Sequence, residues 1–325
     1  MAQRGQRTHN LLAFAARRFL ALIVVVWAIT TITFFLTHLS PYDPIRPILG
    51  QKLASDPHEY YVLRHLFGLD QPLGLQYLNY LGSLLHGNLG YSEEASTLGR
   101  PVWDLLKVGV PVSLTLGAYA LLLALLVGLP VGLLSALKKN SLVDHGSQAI
   151  MMIAYTIPPF VLSPIAQLIF GVKLKWLPVS GWGDPGLAGI REMILPVVLF
   201  AAGLAGFFAK SFRSFLLEVL QEDYIRTARA KGLKERVVIY LHACKNTLVP
   251  LATIVGPTMA FLIVGAFIIE NFFGIPGIGN ITISAVTQSD YPVIEATTIL
   301  LATCVVCANF LTDVFYALVD PRVRM

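Results

Sequence analysis

Six of the most apolar stretches of this chain contain no Asp, Glu, Lys or Arg: residues 19–37, 108–137, 146–172, 193–209, 246–269 and 296–312. This blocking limits the fold more than any other feature. A helix needs about 20 mostly apolar residues to cross a bilayer, and each run reaches that length alone or with its flanks. In hydrocarbon a backbone must satisfy its own polar groups, which a helix does within one segment. The sequence therefore predicts an all-α integral membrane protein with six transmembrane helices. Only 13% of its residues are charged, about half the share in a soluble domain. The first run follows Arg17 and Arg18. From Phe19 to Leu36 it is longer than a signal-peptide core, and no small-x-small site follows it, so it is read as a retained span.

Lys and Arg accumulate on the cytoplasmic side of membrane proteins. With the N-terminus inside, sixteen of the 24 basic residues fall on inner segments, which predicts an N-in/C-in topology. The net charge of +5 then reflects topology, and no basic-aromatic patch suggests nucleic acid. The expected divisions are 1–39 (cytoplasmic N-terminus and first helix), 40–107 (extracytoplasmic helical segment), 108–319 (five-helix transmembrane domain with a cytoplasmic loop at 214–246) and 320–325 (cytoplasmic tail).

In the outer segment, Asp56, Pro57 and Gly68 punctuate one helix. A second, Leu73–Leu85, places Leu73, Tyr77, Leu81, Leu84 and Leu85 on one side. The pair either caps the membrane domain or offers a docking surface. Pro158, Pro159 and Pro164 interrupt the third apolar run, and Pro250 and Pro257 the fifth. Such breaks accommodate packing, or act as hinges or pore lining. Gly256 and Gly265 allow close helix approach. The outer stretch Asn271–Pro292 reads as an apolar, Gly-rich loop tucked back into the protein. Its Phe272, Phe273, Ile275, Pro276 and Ile278 form a candidate outer gate or a rigid turn.

Several chemistries are missing. Gly-Lys never occurs, so there is no P-loop for ATP. No HExxH, GxSxG or GxGxxG stands in a supporting context, and no metal site is expected. The spans hold no carboxylate near the midplane, as an ion-coupled carrier would use; Glu270, Glu295 and Asp313 sit at or near span ends and read as solvated or paired there. Cys304 and Cys307 share a face of the last span and read as small packing residues; Cys244 lies on the inner side, where disulfides are rare.

The inner loop between the fourth and fifth spans concentrates charge in Glu222, Asp223, Tyr224, Ile225, Arg226, Thr227, Ala228, Arg229, Ala230, Lys231 and Gly232. Glu222 and Arg226 are spaced i,i+4 with the acid first. Leu220, Tyr224 and Ala228 form a stripe continued by Gly232, which suits a helix C-cap. A second helix follows, with Leu233, Val237, Tyr240, Leu241, Cys244 and Leu248 as its stripe. The residues alone leave two uses open: resting on anionic lipid, or docking another protein.

The stretch YIRTARAKG (Tyr224–Gly232), preceded by LLEVLQEDY, closely resembles the cytoplasmic loop of ABC-transporter permeases, in particular the B-type subunit of the oligopeptide/dipeptide importers. The general pattern of the family is Glu-Ala-Ala, three residues, then Gly. Here Arg226, Thr227 and Ala228 occupy the first three places, a departure found in the peptide branch. AARRFLAL, SPYDP, the stretch Leu66–Ser92, GIPGIGN, SDYPV and YALVDPRVR resemble the family in order and spacing along nearly the whole chain. The resemblance implies a type I ABC importer permease fold in a bacterial cytoplasmic membrane. It also implies a second homologous permease, two ATP-binding subunits that hold ATP and Mg, and an extracytoplasmic substrate-binding protein. No cofactor is then expected on this chain, and Glu222–Gly232 would insert into a groove of an ATP-binding subunit. Peptides are the first cargo expected; nickel, glutathione or an oligosaccharide in the same architecture, and an autonomous carrier, are the alternatives.

Overall fold

The computed structural model describes residues 2–39, 43, 45, 49, 57–94, 96–183 and 187–319. Its helices are α1 Ala2–His38, α2 Pro57–Leu66, α3 Leu73–Leu85, α4 Val102–Leu137, α5 Leu142–Thr156, α6 Pro159–Ala166, α7 Leu187–Val219, α8 Asp223–Ala230, α9 Glu235–Val237, α10 Lys245–Phe273, α11 Ile278–Gln288 and α12 Tyr291–Val319. π-helical turns extend α6 over Gln167–Lys173 and join α9 to α10 over Val238–Cys244.

Five helical stretches are long and apolar enough to cross a membrane: Ala16–His38, Val102–Leu137, Gly189–Val219, Glu235–Thr258 and Tyr291–Thr312. Two bent helix pairs raise the number of crossings to as many as seven. The first is α5 with α6 and its π extension, bent by 94°. This is the apolar run 146–172, which the sequence assigns to one span. The bend is local: Ile157 and Pro158 each precede a proline, which disfavours helical backbone, and they take ψ 119 and ψ 142. Pro164 stays within α6, and α10 runs unbroken through Pro250 and Pro257. The second bent pair joins the end of α10 to α11. The stretch expected as an outer loop is thus largely helix. Glycines masked its period, but Ile278, Ile281 and Ala285 lie on one stripe; Ile278 and Ala285 are buried and Ile281 is half-buried. Gly274 (φ 62) ends α10 as a left-handed cap.

The chain forms two compact units. The first comprises Met1–Ser113, Pro276–Phe310 and Asp320–Met325. Its apolar core is Val102, Leu106, Ala285, Val293 and Ala296. Phe34, 1% exposed, stacks on His38 and Tyr80, and Tyr77 packs on Phe34 and Phe35, so α3 lies against α1. Of the expected α3 stripe, Tyr77, Leu81 and Leu84 are half-buried while Leu73 and Leu85 are exposed. Gly68 ends the α2 segment at φ 67, as expected; Asp56 lies outside the described residues. A small hairpin spans Tyr91–Pro101. Asp290 ties it to the start of α12, accepting from Ser92 Oγ, from Glu94 N at 3.2 Å and, as helix cap, from Val293 N at 3.4 Å.

Glu295, expected to be solvated or paired at a span end, is paired and buried: it is 4% exposed, and Thr37 Oγ1 donates to its Oε1 at 2.6 Å. His38 Nδ1 lies 3.4 Å from the same oxygen. Glu270 is also fully buried, and the side chain of Asp313 lies outside the described residues. Glu93 in the hairpin is half-buried beside Asp290 and Glu295. Burial first, then the Asp290 and Glu295 carboxylates, push its carboxyl up to about 8. Tyr80 faces Glu295 from α3, and burial and that carboxylate raise its hydroxyl. A proton held by Glu93 in the folded state stabilises this unit fully below the ordinary Glu range, and that contribution is lost as pH rises through about 8. Amide exchange over Tyr91–Val102, corrected for intrinsic rate, should therefore accelerate between about pH 6 and about pH 9. Glu93→Gln should flatten that response.

The second unit comprises Leu114–Ile275 and Leu311–Val319. It is built on α7, whose small residues Ala201, Ala205 and Ala209 are buried beside Phe208, Phe212 and Leu216. Glycines let α4 and α5 approach α7. A Cβ at Gly128 would stand 2.7 Å from Ala205 O, one at Gly132 2.6 Å from Ala209 O, and one at Gly206 2.2 Å from Met151 O. Gly256 on α10 is as close to Thr312, at 2.1 Å, in line with the expected close approach; the surroundings of Gly265 are outside the described residues.

Candidate functional site

Eight residues are too few for a helix to be stable alone in water, so α8 depends on what it packs against. The chain leaves α7 at Val219, and Glu222 starts α8 with extended backbone (φ −66, ψ 147). Ile225 is fully buried and Ala228 is 7% exposed, seating α8 on its own unit beside the π turn Val238–Cys244. Burying an isoleucine contributes about 2–3 kcal/mol. Tyr224 OH accepts from Asn246 Nδ2 at 3.0 Å. Arg229 closes the far end by a fork onto Glu235, with Nη2 at 2.7 Å and Nε at 3.2 Å. Between them Gly232 adopts φ 76, Gly232 N donates to Arg229 O at 2.9 Å, and Leu233 N reaches Ala228 O at 3.4 Å. The expected helix–turn–helix and its glycine stop are present.

Two details differ from the sequence reading. Glu222 does not pair with Arg226; Arg226 Nη1 meets Asp223 Oδ1 at 3.4 Å instead, because Glu222 lies at the cap, outside the helical period. The buried stripe is also rotated. Ile225 and Ala228 point inward, while Tyr224 is 42% exposed. Ala228 is small because its own chain lies against it, whereas nothing lies within 4 Å of a Cβ built at Gly232. Asp223, Arg226, Thr227, Ala230 and Lys231 are exposed, the first four at helical spacing on one face. On the second helix, Leu233, Val237, Tyr240, Leu241 and Leu248 are exposed and Cys244 is half-buried, whereas Val238, Ala243, Thr247 and Leu251 are buried. A π turn adds a residue to the turn and shifts the phase of the stripe.

Of the gate candidates, Phe273 and Ile275 are buried in the second unit and Phe272 is 40% exposed. Gln167 Nε2 donates to Phe272 O at 2.8 Å, and Gly181 N to Phe273 O at 2.8 Å. In the first unit, Pro276 is exposed and Ile278 is buried, its N–H donating to Ser113 Oγ at 2.9 Å.

One polar cluster escaped the sequence reading. Asp144, 1% exposed near the start of α5, receives a two-pronged bond from Arg213 of α7: Nε to Oδ1 at 2.8 Å and Nη2 to Oδ2 at 2.7 Å. The local signal was Ser141-x-x-Asp144, a helix-start pattern; Ser141 caps α5 and accepts from Asp144 N at 3.3 Å.

Residues 128–325 match the family described as "Binding-protein-dependent transport system inner membrane component", and residues 11–116 match its N-terminal component. The chain belongs to this family. A di/tripeptide transport system permease protein DppB of Pseudomonas aeruginosa is 37% identical, over 97% of this chain and 99% of that one. The dipeptide transport system permease protein DppB of Escherichia coli K12 is 34% identical, over 97% and 99%, and that of Bacillus subtilis 35%, over 96% and 98%. Among solved structures, the inward-facing MetNI methionine ABC transporter shares the fold, with TM-score 0.52 and 21% identity over 67% of this chain and 97% of that one. As a member of this family the chain is a multi-pass inner-membrane permease component of an ABC importer, working with ATP-binding and substrate-binding components. The resemblance read from its motifs holds along its length.

Proposed function

We propose that this chain is one half of a peptide pathway: a permease that pairs with a second, homologous permease and admits di- and oligopeptides delivered by an extracytoplasmic binding protein. Six crossings, with both termini inside, follow if α5 and α6 together make one crossing and α11 is re-entrant; the positive-inside asymmetry supports this orientation. The divisions expected from the sequence, including a cytoplasmic loop at 214–246, belong to the same reading. Two ATP-binding subunits hold ATP and Mg, and this chain binds no cofactor. α8 is the coupling helix: Glu222–Gly232 is the segment an ATP-binding subunit grips. The observation that carries this is the seating of α8, with Ile225 and Ala228 buried in the permease and Asp223, Arg226, Thr227 and Ala230 turned outward. A helix anchored this way passes a push on its outer face into α7 and α10. The exposed apolar stripe of the second helix is satisfied by lipid. Phe272, Phe273, Ile275, Pro276 and Ile278 close the pathway on the outer side, supported by the hydrogen bonds that hold the Phe272 and Phe273 carbonyls.

The peptide cargo rests on the names of relatives matched over nearly their whole length. It is tested in liposomes holding both permeases and the ATP-binding subunits. Labelled dipeptide should enter only with ATP and the binding protein present. A binding protein that delivers nickel or an oligosaccharide but no peptide would refute the cargo.

A further inference from the structure

Asp144 joins more elements than a pairwise salt bridge does. Its Oδ1 accepts from Ser135 Oγ on α4 and from Arg213 Nε on α7. Its Oδ2 accepts from Asn140 N in the α4–α5 turn at 2.9 Å and from Arg213 Nη2. Gln148 Nε2 of α5 donates to Ser135 Oγ at 3.0 Å, closing the network. The carboxylate is thus fully satisfied, and it fixes the inner ends of α4, α5 and α7 in one arrangement. Arg213 stands on the last turns of α7, just before the chain passes at Val219 into the turn that leads to α8.

A buried ion pair is a poor device for stability alone, because desolvation offsets much of the attraction, and apolar residues of the same volume often hold a fold as well. What it supplies is direction. Further along, Gly128 and Gly132 of α4 lie against Ala205 and Ala209 of α7, and Gly206 of α7 lies against the α5 backbone at Met151. Smooth small-residue faces permit the slight sliding of packed helices that many conformational changes use. A forked guanidinium–carboxylate bond has one register and resists it. We propose that Asp144 and Arg213 are a positioning pair that makes the α4–α5 hairpin follow α7 when α8 is displaced, and so sets how much substrate moves per ATP hydrolysed. This rests on the reading of α8 as the coupling helix.

The test uses the full complex in liposomes, measuring ATP hydrolysis and dipeptide uptake on the same preparation. In Asp144→Asn with Arg213→Met, the Asn carbonyl takes the Oδ2 place and accepts from Asn140 N, its amide donates to Ser135 Oγ, and no charge is left unpaired, so the helices keep their packing. Uptake per ATP should fall about tenfold, within the usual range of coupling between sites, while the amount of assembled complex stays at the wild-type level. Arg213→Lys keeps the charge but not the fork, and should fall between the two. A wild-type ratio in the double variant overturns the proposal. Failure of both variants to assemble overturns it too, by assigning the pair to folding. The reading of α8 fails separately, if Thr227→Trp on its outer face leaves ATP-driven uptake unchanged.

Discussion

Thr227→Trp is expected to reduce ATP-driven uptake about tenfold, the effect of losing a central contact in a docking interface, while the permease inserts and folds as before. Thr227 is exposed, and its hydroxyl donates to Asp223 O within the same helix, at 2.9 Å. The substitution therefore disturbs nothing inside the chain. On the outer face of α8, however, an indole projects into whatever grips Asp223, Arg226 and Ala230. Ala228→Trp makes the contrast. Ala228 is 7% exposed and faces its own unit, so an indole there unseats α8 and lowers the yield of folded protein along with transport. Uptake, ATP hydrolysis and protein yield measured together distinguish a blocked docking face from a broken seat.

The second large effect is on folding. Gly206→Ala should cost about 2–4 kcal/mol and cut the yield of stable protein, because overpacking a close contact is among the few large single-residue penalties. The added methyl would stand 2.2 Å from Met151 O and 2.9 Å from Tyr155 Cβ. Those atoms belong to α5, whose backbone would have to move. Gly203, one turn earlier on α7, provides the control. A Cβ there meets only Ala154 O, at 3.7 Å, so Gly203→Ala should be neutral or gain the usual helix propensity of alanine. Thermal unfolding of the two variants in detergent checks the difference.

Much of the helical layout was legible in the sequence, and for identifiable reasons. Charge-free runs mark helices that can cross a membrane, because charge is expensive in hydrocarbon. α2 and Gly232 were legible because proline and glycine act locally. The Pro158–Pro159 break was visible as an interruption, but not as a 94° bend, since its angle depends on what α5 and α6 pack against. The face of α8 was misjudged by one residue because an eight-residue helix with charge nearly all round gives no phase of its own; Ile225 and Ala228 face inward through contact with a π turn that no periodicity announces. The glycines of α11 hide the Ile278–Ile281–Ala285 stripe, so its sequence has the look of a loop. Asp144 and Arg213 lie 69 residues apart, and Ser92 and Asp290 lie 198 apart. Such pairs are set by tertiary packing, which a single sequence shows only as isolated polar residues near apolar runs.

The central claim is that this permease moves substrate only when driven through α8 by separate ATP-binding subunits. Uptake of labelled dipeptide into liposomes, with the components added one at a time, tests it most directly. No accumulation is expected with this chain alone or with both permeases, and accumulation against a gradient only when the ATP-binding subunits, ATP and the binding protein are all present. Accumulation by this chain alone, driven by an ion gradient, would contradict it.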